Sequence, residues 1–290
     1  AEVVDPEAFE RSEPYAEAYY ELRQRYGVTL AEARRLLRDP NVLAPMMVRM
    51  GDADAALSGV AHHYPEVIRP ALQIHHTAPG TRLVAGVYIM IVNNRPYLFT
   101  DATVNIEPSA EDLAVITCLA ANFARRLGME PRVALLSFSN FGSTRHPLAE
   151  KVRRAVGLVQ ARCPDLTVDG EMQADTAVVP EIIDQRFPFS RVRDANVLVF
   201  PSLDAANVSY KLLARLGGAE TIGPILLGMG APVHVLQAGD DVRDIVDIAA
   251  VAVMDASNRA SPTLSNTTST PRPPVSASTA WASPASAKPS

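Results

Sequence analysis

The sequence predicts an α/β fold built on a mostly parallel sheet. Two observations carry that reading. Short, nearly continuous apolar runs occur at residues 87–92, 133–138, 197–200 and 233–236. Such runs suit strands covered on both faces. Each of the last three leads, after a short polar loop, into a helical pattern. Strands that alternate with helices imply parallel pairing. Ligands in such sheets sit beyond the carboxyl ends of the strands. The loops after these strands are therefore the candidate sites.

The helices follow from spacing and caps. Tyr15, Ala18, Tyr19, Leu22 and Tyr26 recur at helical intervals, and Gly27 stops that helix. Thr29 and Glu32 have capping-box spacing ahead of a second helix through Leu36 and Leu37. Ser109 and Asp112 repeat the device ahead of a long helix. Its apolar face is Leu113, Ile116, Ala120, Phe123 and Leu127, with Gly128 as a C-cap. Val242, Ile245, Val246, Ala249 and Val253 form the apolar face of the last helix.

Composition excludes several classes. The 290 residues are 48% hydrophobic and 20% charged, as in a globular protein. A net charge of −5 argues against a sequence-independent grip on nucleic acid. No apolar run is long enough to span a membrane, and no signal peptide opens the chain. The two cysteines, Cys118 and Cys163, form no disulfide framework, so a reducing, cytoplasmic setting is expected. The pairs His62-His63 and His75-His76 lack further ligands at metal spacing, so no metal is expected. Residues 1–256 read as one domain. Residues 257–290, rich in Ser, Thr, Pro and Ala with Trp281 alone among them, read as a disordered tail.

Four loops hold candidate chemistry. Residues 137–147 contain Ser137, Ser139, Gly142, Ser143 and Arg145 before Pro147 opens a helix. Backbone N–H groups at a helix start, with hydroxyls nearby, suit a phosphate. A plain strand-to-helix turn with capping serines has the same composition. Residues 169–175 carry Asp169, Glu171 and Asp175, which suit acid–base work or a capping turn. Asn207 and Lys211 share one helix face, where they hold a polar ligand or meet solvent. Asp241 and Asp244 sit at N-cap and N3 spacing, so Asp244 is a capping residue first and a general-base candidate second.

Six blocks then add a resemblance: GVAHHYPEVIRPALQIHHTAPG, DATVNIEPSAEDLA, SFSNFGSTRHPLAEKVRRA, DGEMQADTAV, ANVLVFPSLDAANVSYKLLARLGG and IGPILLGMGAPVHVLQAGDDVRDIV. In that order, across residues 49–256, they resemble the phosphate acetyl/butyryltransferase family. Within it, VRMGDADAALSG, SNFGS and PVHVL look most like the C-terminal domain of bacterial multidomain NADP-dependent malic enzymes. The resemblance implies a three-layer αβα architecture of the isocitrate/isopropylmalate dehydrogenase kind. It also implies a further strand–helix region ahead of the present start. It implies acetyl-CoA as ligand, homo-oligomer assembly, an aspartate that deprotonates the CoA thiol, and arginines that hold the acyl phosphate.

By that resemblance Asp244 and Arg69 are the catalytic candidates. Ser137, Ser139, Gly142, Ser143, Arg145, Asn207 and Lys211 are the acetyl-CoA and phosphate candidates. The family's Ser-Arg-Gly turn reads Gln237-Ala238-Gly239 here. The expectation is therefore a malic-enzyme domain that senses acetyl-CoA and assembles oligomers, with little or no turnover. NADP and a divalent metal would belong to upstream domains only. The alternative is a working phosphate acyltransferase in which Arg145 replaces the lost arginine. A third reading is a purely structural oligomerisation module.

Overall fold

The computed structural model describes residues 3–260. The chain opens with α1 (Ser12–Arg23), α2 (Leu30–Leu36) and α3 (Pro40–Met50), then β1 (Ala56–Ser58) and α4 (Tyr64–His75). A hairpin follows, β2 (Ala85–Val92) and β3 (Arg95–Thr100), then α5 (Ala110–Arg126) and β4 (Arg132–Leu136). Next come α6 (Pro147–Arg162), β5 (Thr167–Met172), α7 (Ala174–Val178), α8 (Pro180–Arg186) and β6 (Val197–Val199). The chain closes with α9 (Leu203–Leu216), β7 (Glu220–Leu227), β8 (Val233–Val235) and α10 (Val242–Ala260).

Six strands form the main sheet in the order β5-β4-β6-β3-β2-β7. β5, β4, β6 and β3 are parallel, and β2 runs against both β3 and β7. The residues of β2 alternate between two cores. Val87 and Ile89 face α5, α6 and α10, where Phe123, Val156 and Ile248 are buried. Tyr88 and Met90 face the other way, toward Ala177 of α7 and Ala206 and Tyr210 of α9. Helix, sheet, helix is the expected three-layer arrangement, and burial on both faces explains the nearly continuous apolar runs.

The run at 233–236 belongs elsewhere. β8 pairs in parallel with β1, as a separate two-stranded sheet packed on α4. Four strands, β1, β3, β5 and β7, escaped the sequence reading. Of these, β3 follows a two-residue turn, Asn93-Asn94, with φ of 49° and 62°. Asparagine tolerates that left-handed backbone, and the mirror-image turn it makes matches strand twist.

The caps behave as spaced. Gly27 takes a left-handed φ of 87° and closes the first helical segment after a short 3₁₀ turn. The Thr29 side chain accepts from the Glu32 N–H, and Ser109 and Asp112 complete both arms of a capping box. α10 runs on to Ala260, four residues past the expected boundary. The remainder of the expected tail, with Trp281, lies outside the described residues. Among the described residues, no helix is long and apolar enough to cross a membrane. The cysteines that look isolated in sequence meet in space: Cys118 of α5 and Cys163, just past α6, have sulfurs 2.6 Å apart.

Candidate active site

The serine loop leaves the carboxyl end of β4, as expected, but a buried carboxylate organises it. Glu171, fully buried in β5, accepts from the Ser139 hydroxyl at 2.9 Å and from the Gly142 N–H at 2.7 Å. Arg153 of α6 donates to both its oxygens at 3.1 Å. Several other donors of the loop bond within it or to the β5 segment. Asn140 N–H bonds the Ser143 hydroxyl, and Thr144 N–H bonds the Ser139 hydroxyl. Burial pushes the Glu171 carboxyl up, but Arg153, the Gly142 N–H and Ser139 together outweigh it and hold the carboxyl below its usual range.

This strand can carry Glu171 inward because of Gly170. Its φ is +145°, and a Cβ there would stand 2.6 Å from the Leu135 carbonyl oxygen of β4. Only glycine fits such an approach. Residues 169–175 are thus mostly strand, not loop, and their carboxylates are structural. Asp169 accepts from Ser190 and from the Arg191 N–H, and Asp175 accepts from the Thr176 N–H.

A cleft of about 650 Å³ opens at the β7 edge of the main sheet, between α9 and the start of α10. Asp244 and Lys211 line it, with Gln237, Ala238, Asp240, Asp241, Arg215 and Arg243. Its inner wall is Tyr88 stacked on Tyr210, with ring centres 4.2 Å apart. The Gln237 amide donates to the Tyr88 hydroxyl at 2.5 Å, and that hydroxyl lies 3.2 Å from the hydroxyl of Tyr210. β8 delivers Gln237 to this wall. The preceding Leu236 N–H is held by the Ser58 carbonyl of β1 at 2.8 Å.

Asp241 and Asp244 form the predicted cap. Asp244 accepts from the Asp241 N–H at 2.9 Å, and Asp241 accepts in return at 3.1 Å. Asp240, which sequence reasoning passed over, has the perturbed carboxyl. Burial pushes it above its usual range, and the negative Asp244 and Asp241 add to that, against the Gln237 N–H that it accepts. Nothing local in the sequence marks Asp240, because its burial comes from the folded wall. Lys211 and Arg215 stand on successive turns of α9, while Arg243 pairs with Glu220 at 2.7 Å.

The remaining candidates lie apart. Arg69 of α4 lines a different cavity, of about 420 Å³, with Tyr19, Arg23 and Glu66. Asn207 is half-buried one turn before Lys211 and does not line the cleft, nor does any residue of the serine loop. Arg145 is exposed on that loop. His63 caps α4 through its N–H to Glu66, and His75 meets the Pro45 carbonyl. Among the described residues, no group of three or more His, Cys, Asp or Glu side chains is placed to hold a metal ion.

This fold has close counterparts. The family model described as phosphate acetyl/butaryl transferase matches residues 1–253. The chain belongs to that family. It is 45% identical over 264 residues to a phosphate acetyltransferase of Thermoanaerobacterium thermosaccharolyticum, covering 88% of this chain and 80% of that protein. A crystal structure of a phosphotransacetylase from Streptococcus pyogenes superimposes with a TM-score of 0.81 at 39% identity, covering 87% of this chain and 77% of that one. The NADP-dependent malic enzyme of Escherichia coli is 40% identical over 259 residues, but the match covers only 34% of that enzyme.

These matches correct the sequence expectation. The Thermoanaerobacterium phosphate acetyltransferase is matched at higher identity and over most of its length. The malic-enzyme assignment, with its silent acetyl-CoA-sensing role and its NADP-linked oxidoreductase chemistry, is therefore withdrawn. VRMGDADAALSG and PVHVL misled because short blocks outside the cleft say little about the chemistry inside it.

Two outcomes follow from the carboxylates. Glu171→Gln removes a buried charge from its Arg153 partner, at an expected cost of about 3 kcal/mol in urea unfolding at pH 7. Because the folded-state value is depressed, Glu171's contribution is full above the unfolded value near ~4.3 and is lost as pH falls through the folded one. An unchanged midpoint at pH 7 would remove the clamp. Asp240 behaves oppositely. Its raised folded-state value means that ionisation costs stability as pH rises from the unfolded value, near ~3.9, through the folded one. Asp240→Asn should raise the Tm at pH 7 and lose that gain in acid, as read by calorimetry across pH.

Proposed function

We propose that this chain is an active phosphate acyltransferase, converting acetyl-CoA (or a similar short acyl-CoA) and phosphate to acyl phosphate and CoA. The observation that carries the proposal is the cleft itself. Asp244 and the cations Lys211 and Arg215 are among the residues that line it, in a chain that belongs to the transferase family. In the acyl-phosphate direction, a phosphate oxygen attacks the acyl carbonyl carbon. The new C–O bond forms, the C–S bond breaks, and the departing CoA thiolate takes a proton. Asp244 serves that proton transfer, and in reverse its carboxylate takes the thiol proton. Lys211 and Arg215 supply positive charge for phosphate groups.

The family's Ser-Arg pair is absent, so the negative charge that develops on the carbonyl oxygen needs another donor. The Gln237 amide is of a type that serves in oxyanion holes, and it takes that role by turning one N–H from the Gly223 carbonyl, 3.5 Å away, to the substrate while its bond to the Tyr88 hydroxyl fixes its orientation. The serine loop then acts as a rigid support, since its donors already serve Glu171 and one another. In this reading Arg69 and Asn207 stand outside the chemistry. The family match to residues 1–253 supports residues 1–256 as the catalytic unit. A cytoplasmic setting goes with an acetyl-CoA substrate. Val208, Leu212 and Leu216 are exposed at successive turns of α9, and this apolar stripe supports homo-oligomer assembly.

Two measurements test this. The purified chain should form acetyl phosphate from acetyl-CoA and phosphate, and Asp244→Asn should lower kcat about 100-fold or more. Absence of phosphate-dependent CoA release from the parent chain would sink the assignment, and an unaffected variant would remove Asp244 from its role. Leu212→Glu should shift the sedimenting species from oligomer to monomer. An unchanged species would clear α9 of the interface.

A further inference from the structure

The two cysteines lie outside the cleft and take no part in the proposed chemistry. They are separated by 45 positions in sequence, yet their sulfurs are 2.6 Å apart. Cys118 stands on α5 and Cys163 caps α6 at its carboxyl end, so the pair bridges two adjacent helices of one layer. Cys163 is firmly placed. Its N–H donates to the Val159 carbonyl at 2.7 Å, and its carbonyl accepts the Leu166 N–H at 3.0 Å. Both side chains pack on the core shared by α5, α6 and the sheet, and both remain partly accessible.

We infer that Cys118 and Cys163 form an oxidation site: a thiol pair that a small disulfide oxidant converts to an intramolecular disulfide tying α5 to α6. The step balances as an exchange. The Cys163 thiolate attacks one sulfur of the oxidant, RSSR, which gives a mixed disulfide and releases RS⁻. Cys118, on losing its proton, displaces the second RS⁻, and the Cys118–Cys163 bond forms. Two protein hydrogens leave as protons and end on two RSH. Burial pushes the Cys118 thiol up, with the neighbouring Cys163 adding to the shift. Cys118 is brought into play once a sulfur of the mixed disulfide lies beside it, as the 2.6 Å separation allows.

The same helix that would be tied carries Arg153 to the buried Glu171. The bond would therefore restrain the support of the serine loop without touching the cleft. It would also close a long loop, which lowers the entropy of the unfolded chain.

The test uses the full chain treated with oxidised glutathione. Non-reducing peptide mapping should find the Cys118 peptide joined to the Cys163 peptide, with the intact mass lower by two hydrogens. The Tm should rise by roughly 5–10 °C and return on reduction with dithiothreitol. Cys118→Ser and Cys163→Ser should each lose that rise while keeping the Tm of the reduced protein within a few degrees. Two outcomes would overturn the inference. One is full alkylation of both thiols after oxidant. The other is a covalent dimer as the only oxidised product.

Discussion

Burial of the main sheet on both faces is the constraint on which the rest of the molecule depends. A strand with helices above and below has no wet side, so nearly every side chain must be apolar. That demand explains Val133, Ala134, Leu135 and Leu136 in β4, all of them buried. It also assigns each residue to one of two cores, since successive side chains point to opposite faces. A shift of one residue in β2 would exchange Val87 with Tyr88 and break both cores at once. A charged group in the sheet is then stable where partners meet it. Glu171 is such a case. Its carboxylate is held by a hydroxyl, a backbone N–H and a guanidinium.

The cleft follows from the same constraint. At the β7 edge the sheet has no further strand, and residues of α9 and the start of α10 line the cleft there. Tyr88, carried on the α9 face of β2, presents its hydroxyl to the cleft while its ring stacks on Tyr210. The wall is apolar in body and polar at its rim. The Gln237 amide is oriented by the Tyr88 hydroxyl, and it lines the cleft together with Asp244, Lys211 and Arg215. A polar set of this kind needs a rigid backing, and the doubly covered sheet supplies one.

Local signals were legible wherever chemistry and geometry are close in sequence. The capping pairs Thr29–Glu32, Ser109–Asp112 and Asp241–Asp244 depend on three-residue spacing alone, and all three form. Asn93-Asn94 was an available signal that went unread, because β3 begins with Arg95 and Pro96 and does not look apolar. Glu171 was misread as part of a polar turn. Its partners Ser139 and Arg153 stand 32 and 18 positions away, so no window around it could show that it is buried. The site residues divided for the same reason. Asp244 and Lys211 share a cleft, while Arg69, joined to them only by family resemblance, lines another cavity.

By itself, then, the sequence determined the fold class, the caps and the family. Each of these rests on patterns of period two, three or four, or on blocks of contiguous residues. Tertiary structure alone decided which polar groups meet. It turned the Ser139 and Gly142 donors inward to a buried carboxylate and placed Asp240 in a wall that raises its carboxyl. It also brought Cys118 and Cys163 into contact. The physical reason is that desolvation and pairing act through space. A carboxylate or thiol acquires its properties from neighbours that only the packed helices and sheet bring to it.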